Sequence, residues 1–367
     1  MEEGRSMQRG RPGKWLRWFA VFASLLIAGV VAAGCGSDDS GEESGGGSSG
    51  GSSDAPISSF AIVAPEKGND YGYNQQGVDA AKKIASDLGI DVEIADGSGY
   101  EDIAPILREL ATTGGAEFVI AQASGYNTIA PDVAAQTGVP HIVWDNPDAN
   151  KPGITANVST QSQEGAYLAG VLAANTSKSG KLGIVISADD TNWNKMSGGF
   201  VAGARSVDPK VEIQLAQIGQ AGYADAAGGR RVTEALIANG ADIIFGMGDG
   251  SSFGMLEAVE RADGVQFIDV IGDKTPIDDQ GVLLSSVYWD LSGIYRDAIN
   301  DIGDKTFGED DYVIDLANDG VSLLKTDKID EKSWKQIQDV RKQIIDGKVE
   351  IPLTEKKPQV EDLIAEG

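Results

Sequence analysis

Between residues 58 and 271 the chain alternates two apolar patterns. Short continuous runs rich in Val, Ile, Phe and Ala occupy 60–64, 92–95, 118–121 and 141–144, and a second series occupies 182–186, 211–215, 243–246 and 267–271. The stretches between them, such as 78–88, carry Ala, Leu, Ile and Lys in helix-like order. Strands alternating with helices predict βαβ units and parallel sheets. The runs are too many for one small sheet, and the series breaks near Asn157, which predicts two α/β lobes. Further on, 282–287 predicts a strand and 292–301 a helix. Residues 312–316 and 321–324 then predict a strand pair around the turn "ANDG", and 333–345 an amphipathic helix. The expected organisation assigns 56–157 and 274–310 to lobe 1, 158–273 and 311–350 to lobe 2, and 351–367 to a tail.

An internal echo supports a duplicated lobe. "LATTGGAEFVIA" (110–121) and "LIANGADIIFG" (236–246) both read as helix end, Gly, Ala, acid and buried strand. A generic helix-to-strand junction, with Gly closing the helix, would give the same string.

The amino terminus falls outside this pattern. Arg5, Arg9, Arg11, Lys14 and Arg17 precede an apolar run that ends in the small residues of "VAAGC". That is the layout of a signal peptide, expected over 1–34, and the run is short for a membrane-spanning helix. Residues 35–55 are dominated by Gly and Ser, which behave as a flexible coil. Cys35 is the only cysteine, so no disulfide forms within the chain and no Cys-based metal site is expected.

The formal charge is −26, and more negative once the basic leader is set aside. So acidic a body disfavours nucleic acid and anionic lipid as partners. His141 is the only histidine and sits inside a predicted strand, which leaves Ser-His-Asp and Cys-His nucleophile systems without a base. "GMGDGSSFG" lacks both the GxGxxG register and the Walker Lys-Ser/Thr. No catalytic pattern stands out, and the expectation is a binding protein rather than an enzyme.

Its best candidate site is "NDYGYNQQG" (69–77), between the first strand and the first helix, where open α/β sheets bind ligands. This loop is similar to the first ligand loop of the basic membrane protein (BMP) family of ABC transporter substrate-binding lipoproteins. The resemblance continues in order through "EGAYLAGVLAANTSKSGKLGIV" (164–185), "GGFVAGA" (198–204), "GADIIF" (240–245), "VIGD" (270–273) and "DGVSLL" (319–324). "AAGC" likewise resembles a bacterial lipobox, which implies cleavage before Cys35 and acylation of that residue, with palmitate among the possible chains.

The resemblance implies the type I periplasmic-binding-protein fold: two Rossmann-like lobes with parallel sheets, joined by a three-strand hinge. It implies a lipid-anchored protein on the extracytoplasmic face, with ABC permease and ATPase subunits as partners and no cofactor. The ligand of the purine-nucleoside-binding type lies between the lobes. Tyr73 falls at the position whose ring stacks on the base, and Tyr223 at the aromatic that closes on its other face. Asn74 can offer a donor and an acceptor. Asp70 either caps the following helix or faces the ligand. Asp145 matches an aspartate that accepts from the purine edge, and Asp273 one that takes ribose hydroxyls. Asp249 and Gly250 reach the cleft by topology. Plainer readings exist: Tyr73 packed on its own lobe, and Asp145 opening the turn "DNPD".

Two departures stand out. Many members carry a lysine after a Thr-Ser strand end, where "LLSSVYWDL" places Tyr288 or Trp289. The first strand also ends "IVAPEKG" rather than in an aspartate. These leave room for riboflavin, a free nucleobase or a simple sugar, and the fold would equally serve a membrane receptor's ligand sensor.

Overall fold

The computed structural model describes residues 55–366 apart from 221. The expected leader, Cys35 and all but one residue of the expected tether lie outside these residues. The chain first builds lobe 1: β1 (Ser59–Ala64), α1 (Tyr73–Leu88), β2 (Asp91–Asp96), α2 (Ile103–Thr112), β3 (Val119–Ala121), α3 (Ile129–Thr137), β4 (His141–Trp144) and β5 (Thr155–Thr160). It crosses at residue 161 into lobe 2: α4 (Ser162–Thr176), β6 (Lys181–Ile186), α5 (Thr191–Val207), β7 (Glu212–Gln217), α6 (Ala226–Ala238), β8 (Ile243–Met247), α7 (Ser252–Glu260), β9 (Gln266–Ile271) and β10 (Leu283–Trp289). A second crossing returns it to lobe 1 for α8 (Ser292–Asp304) and β11 (Tyr312–Ile314). The third places β12 (Val321–Leu323), α9 (Glu331–Ile345) and α10 (Lys357–Ala365) on lobe 2.

The two sheets repeat one order, β2-β1-β3-β4-β5-β11 and β7-β6-β8-β9-β10-β12. All pairings are parallel except β12 against β10. The echoed strings of the sequence end in β3 and β8, which hold the same place in their sheets. Both faces of each sheet are covered by helices, which is why most of the interior strands read as apolar runs.

Three boundary expectations are corrected. β10, assigned to lobe 1, pairs with β9 of lobe 2, and β11, assigned to lobe 2, pairs with β5 of lobe 1. β11 and β12 therefore do not pair with each other; the turn between them is the third crossing. Residues 357–365 form α10 against α5 rather than a tail. The break expected near Asn157 is instead β5, "TANVST". Its polar residues are buried because they hold loops: Asn157 Oδ1 accepts from Asn146 N at 2.8 Å, and Asn150 Oδ1 accepts from Asn157 N at 2.6 Å.

The Gly motifs at 165–170 and 198–204 have a packing role. A Cβ on Gly203 would stand 2.0 Å from the Tyr167 carbonyl oxygen, and one on Gly170 would stand 2.1 Å from that of Phe200. α4 and α5 thus touch backbone to backbone, an approach that side chains would block.

His141 is fully buried; its Nδ1–H donates to the Val139 carbonyl at 2.8 Å, and burial holds its pKa down to about 4 from 6.5. The unfolded chain therefore takes up the proton first, and this contribution to stability is whole above pH 6.5 and lost as pH falls toward 4. His141→Gln is expected to shrink the difference in unfolding free energy between pH 7 and pH 4 by about 3 kcal/mol. Guanidinium titrations at both pH values check this. An unchanged difference would show that the histidine titrates normally.

Candidate functional site

Parallel strands point their carboxyl ends to one side of a sheet, and the two lobes turn these ends toward each other. The carboxyl ends of β1, β2, β3, β4, β6, β7, β8, β9 and β10, with the segments that follow them, supply the walls of one chamber of about 380 Å³. Six aromatic side chains line it: Tyr73, Tyr100, Trp144, Trp193, Tyr223 and Trp289. Three carboxylates join them, Asp145, Asp190 and Asp249, and no Lys, Arg or His is among the lining residues described.

On lobe 1 the loop at 69–72 is built around Asp70. Its carboxylate accepts from the backbone N–H of Gly72, Asn74 and Gln75 at 3.0, 3.1 and 2.9 Å, and from Asn74 Nδ2 at 2.8 Å. Asn74 Oδ1 in turn accepts from Glu66 N at 3.2 Å. Asp70 is therefore a helix cap for α1, and the amide of Asn74 is spent on the same frame. Neither lines the chamber. What they fix is the position of Tyr73 as the first residue of α1.

The Tyr73 ring stands edge-on to Trp144 at 5.4 Å and to Trp289 at 6.4 Å, and those two indoles lie parallel within 7° at 6.4 Å. The Trp144 Nε1–H donates to Gln122 Oε1 at 3.1 Å, and the Tyr295 hydroxyl donates to the same oxygen at 2.6 Å. That anchors one indole. The Tyr73 hydroxyl and the Trp289 indole N–H are buried with no partner among the described residues. Burial holds the Tyr73 phenol well above its usual pKa, so it is a neutral hydroxyl that can donate or accept.

On lobe 2, Asp190 caps α5: its Oδ1 accepts from the N–H of Asn192 and Trp193 at 2.8 and 3.3 Å. Its other oxygen accepts from the Tyr223 hydroxyl at 3.2 Å. Asp249, 8% exposed, is placed differently: its carboxylate has no donor among the described residues. Burial, then the nearby charges of Asp70 and Glu66, pushes its pKa well up.

Several contacts join the lobes. Asp145 Oδ2 accepts from Ser124 Oγ of its own lobe at 2.6 Å and from Asn192 Nδ2 of the other at 3.2 Å. Lys274, ion-paired with Asp269 in lobe 2, donates to the Tyr71 carbonyl of lobe 1 at 3.0 Å. The Tyr71 ring meets Phe253 edge-on at 6.4 Å. Tyr71, Asp145 and Ile271 all have left-handed backbones, with φ of 50°, 56° and 69°. Such conformations cost L-residues roughly 1–2 kcal/mol each and gather where function demands a particular geometry. Beyond the Asp145–Asn192 bridge lies a second, more polar hollow of about 450 Å³ that includes Asn127, Lys195 and Glu355.

Of the residues singled out in the sequence, Tyr73, Asp145, Tyr223 and Asp249 meet in the chamber. Gly250 lies behind it, where a Cβ would stand 3.2 Å from the Ala224 Cα, so it seats one lobe 2 loop on another. Asp273 is turned away: its Oδ1 accepts from the N–H of Thr275 at 2.8 Å and from that residue's hydroxyl. The left-handed turn at Ile271 carries Lys274, not Asp273, inward. Of the two residues named at the missing lysine, Trp289 is the one in the wall. Tyr100, Asp190, Asn192 and Trp193 were not singled out. "ADDTNW" holds a legible signal, an acid followed by amide and aromatic at a strand-to-helix turn, as in the opening loop.

Residues 57–355 match the family model described as ABC transporter substrate-binding protein PnrA-like. Among curated relatives, the ABC transporter nucleoside-binding protein BmpA of Lactococcus lactis is 28% identical over 207 residues, which is 52% of this chain and 58% of that protein. Basic membrane protein A1 of Borrelia garinii is 24% identical over 64% of this chain and 69% of its own length. Solved ABC transporter solute-binding proteins share the fold. One from Conexibacter woesei has a TM-score of 0.69 at 20% identity, covering 81% of this chain and 99% of that one. One from Aeropyrum pernix has 0.72 at 17%, covering 84% and 97%. The family model spans most of the 367 residues, and the fold is shared with those solute-binding proteins. This chain belongs to the family of PnrA-like ABC transporter substrate-binding proteins.

Proposed function

We propose that the chain is the capture component of an ABC importer, closing its two lobes on a purine nucleoside or related flat heterocycle and presenting it to a permease. One observation carries this: six aromatic side chains from both lobes enclose one chamber, and two of them, Tyr73 and Trp289, keep a buried hydroxyl and a buried indole N–H with no partner among the described residues. Flat rings gain from aromatic walls beyond the area they bury. Closure then follows from differential affinity, since only the closed form offers both walls at once. The Lactococcus relative, by name a nucleoside-binding protein, points the same way. Acylation at Cys35 would tether the body outside the membrane through the Gly/Ser segment. Among the described residues no helix is long and apolar enough to cross it.

A second reading, a free nucleobase or another heterocycle without ribose, draws on two findings. Asp273 is spent on Thr275, and Trp289, one of the two residues at the place where the family resemblance implies a lysine, is part of the chamber wall.

Native mass spectrometry against adenosine, guanosine, inosine, adenine, riboflavin and ribose tests both. The expected result is a retained or added heterocycle, weakened about 10- to 100-fold in Tyr73→Ala, the loss of one buried ring with its aromatic contacts. Ribose binding alone, indifferent to Tyr73 and Tyr223, would overturn the reading. Release of free base from a nucleoside would make the protein an enzyme instead.

A further inference from the structure

We propose that the chamber selects a positively charged flat heterocycle, its charge held against the carboxylate of Asp249. The proposal rests on the heterocycle reading above and adds the sign of the ligand's charge.

Asp249 carries the argument. It is 8% exposed, lines the chamber, and receives no hydrogen bond from any described residue. Buried carboxylates are ordinarily paired or hydrogen-bonded, because an unpaired one is costly to hold out of water. The other two acids of the chamber differ in kind. Asp190 is occupied by two backbone N–H groups and a tyrosine hydroxyl, and Asp145 by Ser124 and Asn192. Asp249 alone is left for the ligand to satisfy.

Among the described residues no cation is free to do so. Lys274 is the cation whose charge acts on Asp249, but its ammonium is committed to Asp269 and to the Tyr71 carbonyl. Neighbouring charges work in the opposite direction, since Asp70 and Glu66 repel it. A ligand cation would relieve this repulsion, and a ligand anion would add to it. The walls agree with the charge: aromatic faces attract cations through the ring quadrupole, and six such side chains surround the space. The same walls would take a neutral ring, so the carboxylate rather than the aromatics sets the preference.

Isothermal titration of the purified protein with matched pairs tests this. The pairs are adenosine with 1-methyladenosinium, and nicotinamide with 1-methylnicotinamide, each a neutral ring and its methylated cation. Adenosine 5′-monophosphate serves as the anionic probe. The charged member of at least one pair is expected to bind ten times or more tighter than its neutral partner, and the monophosphate not at all. Asp249→Asn keeps the shape and removes a carboxyl whose anion is disfavoured by burial and by its acidic neighbours, so without ligand it is expected to melt no lower than the parent while the preference falls below about threefold. Adenosine binding as tightly as its methylated cation, or an Asn variant that keeps the preference, would overturn the charge assignment and leave the heterocycle reading standing. Monophosphate binding as well as adenosine would do the same. If no member of either pair bound, the charge assignment would fall with the heterocycle reading that supports it.

Discussion

Methionine in place of Lys274 is expected to lower the free energy of unfolding by about 3–5 kcal/mol, the usual penalty for removing one partner of a buried ion pair. Lys274 and Asp269 are 1% and 0% exposed, and Asp269 is flanked along β9 by Ile268 and Val270, both in the core. Burial already pushes the Asp269 carboxyl up, and the Lys274 ammonium is the main influence drawing it back. Without that ammonium the carboxylate keeps a hydrogen bond from Ser252 Oγ, at 3.1 Å, and one from the Val270 backbone N–H, and no opposite charge. It would then take up a proton in the folded state more readily than in the unfolded chain. A carboxyl raised in this way destabilises the fold as pH climbs past the unfolded value, so the defect should be smallest in acid and largest at neutral pH. Adding Asp269→Leu should restore most of the loss, because a pair replaced whole by apolar groups is often neutral. Guanidinium unfolding of the parent, single and double variants decides the matter. A single variant within about 1 kcal/mol of the parent, or a double variant no better than the single, would show that the pair carries little of the stability.

That pair was invisible in the sequence, and the reason is geometric. Asp269 stands in a run read simply as a strand, and Lys274 follows the aspartate that drew attention, Asp273. Which of two adjacent side chains turns inward depends on the left-handed φ of 69° at Ile271, and no local pattern asks a β-branched residue for that conformation. The alternation of strand and helix, by contrast, was plain, because both faces of each sheet are buried and most of the central strands are largely apolar. β5 escaped for the complementary reason: its buried Thr and Asn side chains serve the loops around it, and a polar string carries no strand signal. The turn at "ANDG" was recognised, yet its flanking strands were misassigned. Val321 N does donate back to the Asp315 carbonyl at 2.9 Å, but the two strands enter different sheets. A crossing between lobes is a long-range property, and turn chemistry reports only the turn. In the site, Tyr73, Asp145 and Tyr223 were found in advance through the family resemblance and Asp249 through topology, all of them beyond strand ends that face the cleft. The framework residues beside them, Asp70 and Asn74, share the same loop and polarity, and only the hydrogen bonds separate cap from contact.

Alanine in place of Gly272 is expected to weaken capture of the heterocycle by 100-fold or more while leaving stability within about 1 kcal/mol of the parent. A Cβ at this position would stand 2.0 Å from the Tyr71 carbonyl oxygen, 2.6 Å from its carbon and 3.1 Å from Gly72 N. All three atoms belong to the opposite lobe, so the added methyl obstructs only the approach of one lobe to the other. Gly272 does not have the left-handed backbone that alanine resists, and an open form would accept the change without strain. The atoms in the way are backbone and cannot swing aside. The same approach lets Lys274 reach the Tyr71 carbonyl and seats Tyr71 on Phe253, so it is part of the closed state itself. If closure is penalised by about 3 kcal/mol, the overpacking cost of an added methyl against fixed atoms, the competent population falls about 100-fold and apparent affinity falls with it. Small-angle scattering should show the parent contracting on saturation with ligand and the variant remaining at the larger radius. A variant that contracts and binds like the parent would mean that the lobes close along a different path, with residues 71 and 272 never brought together.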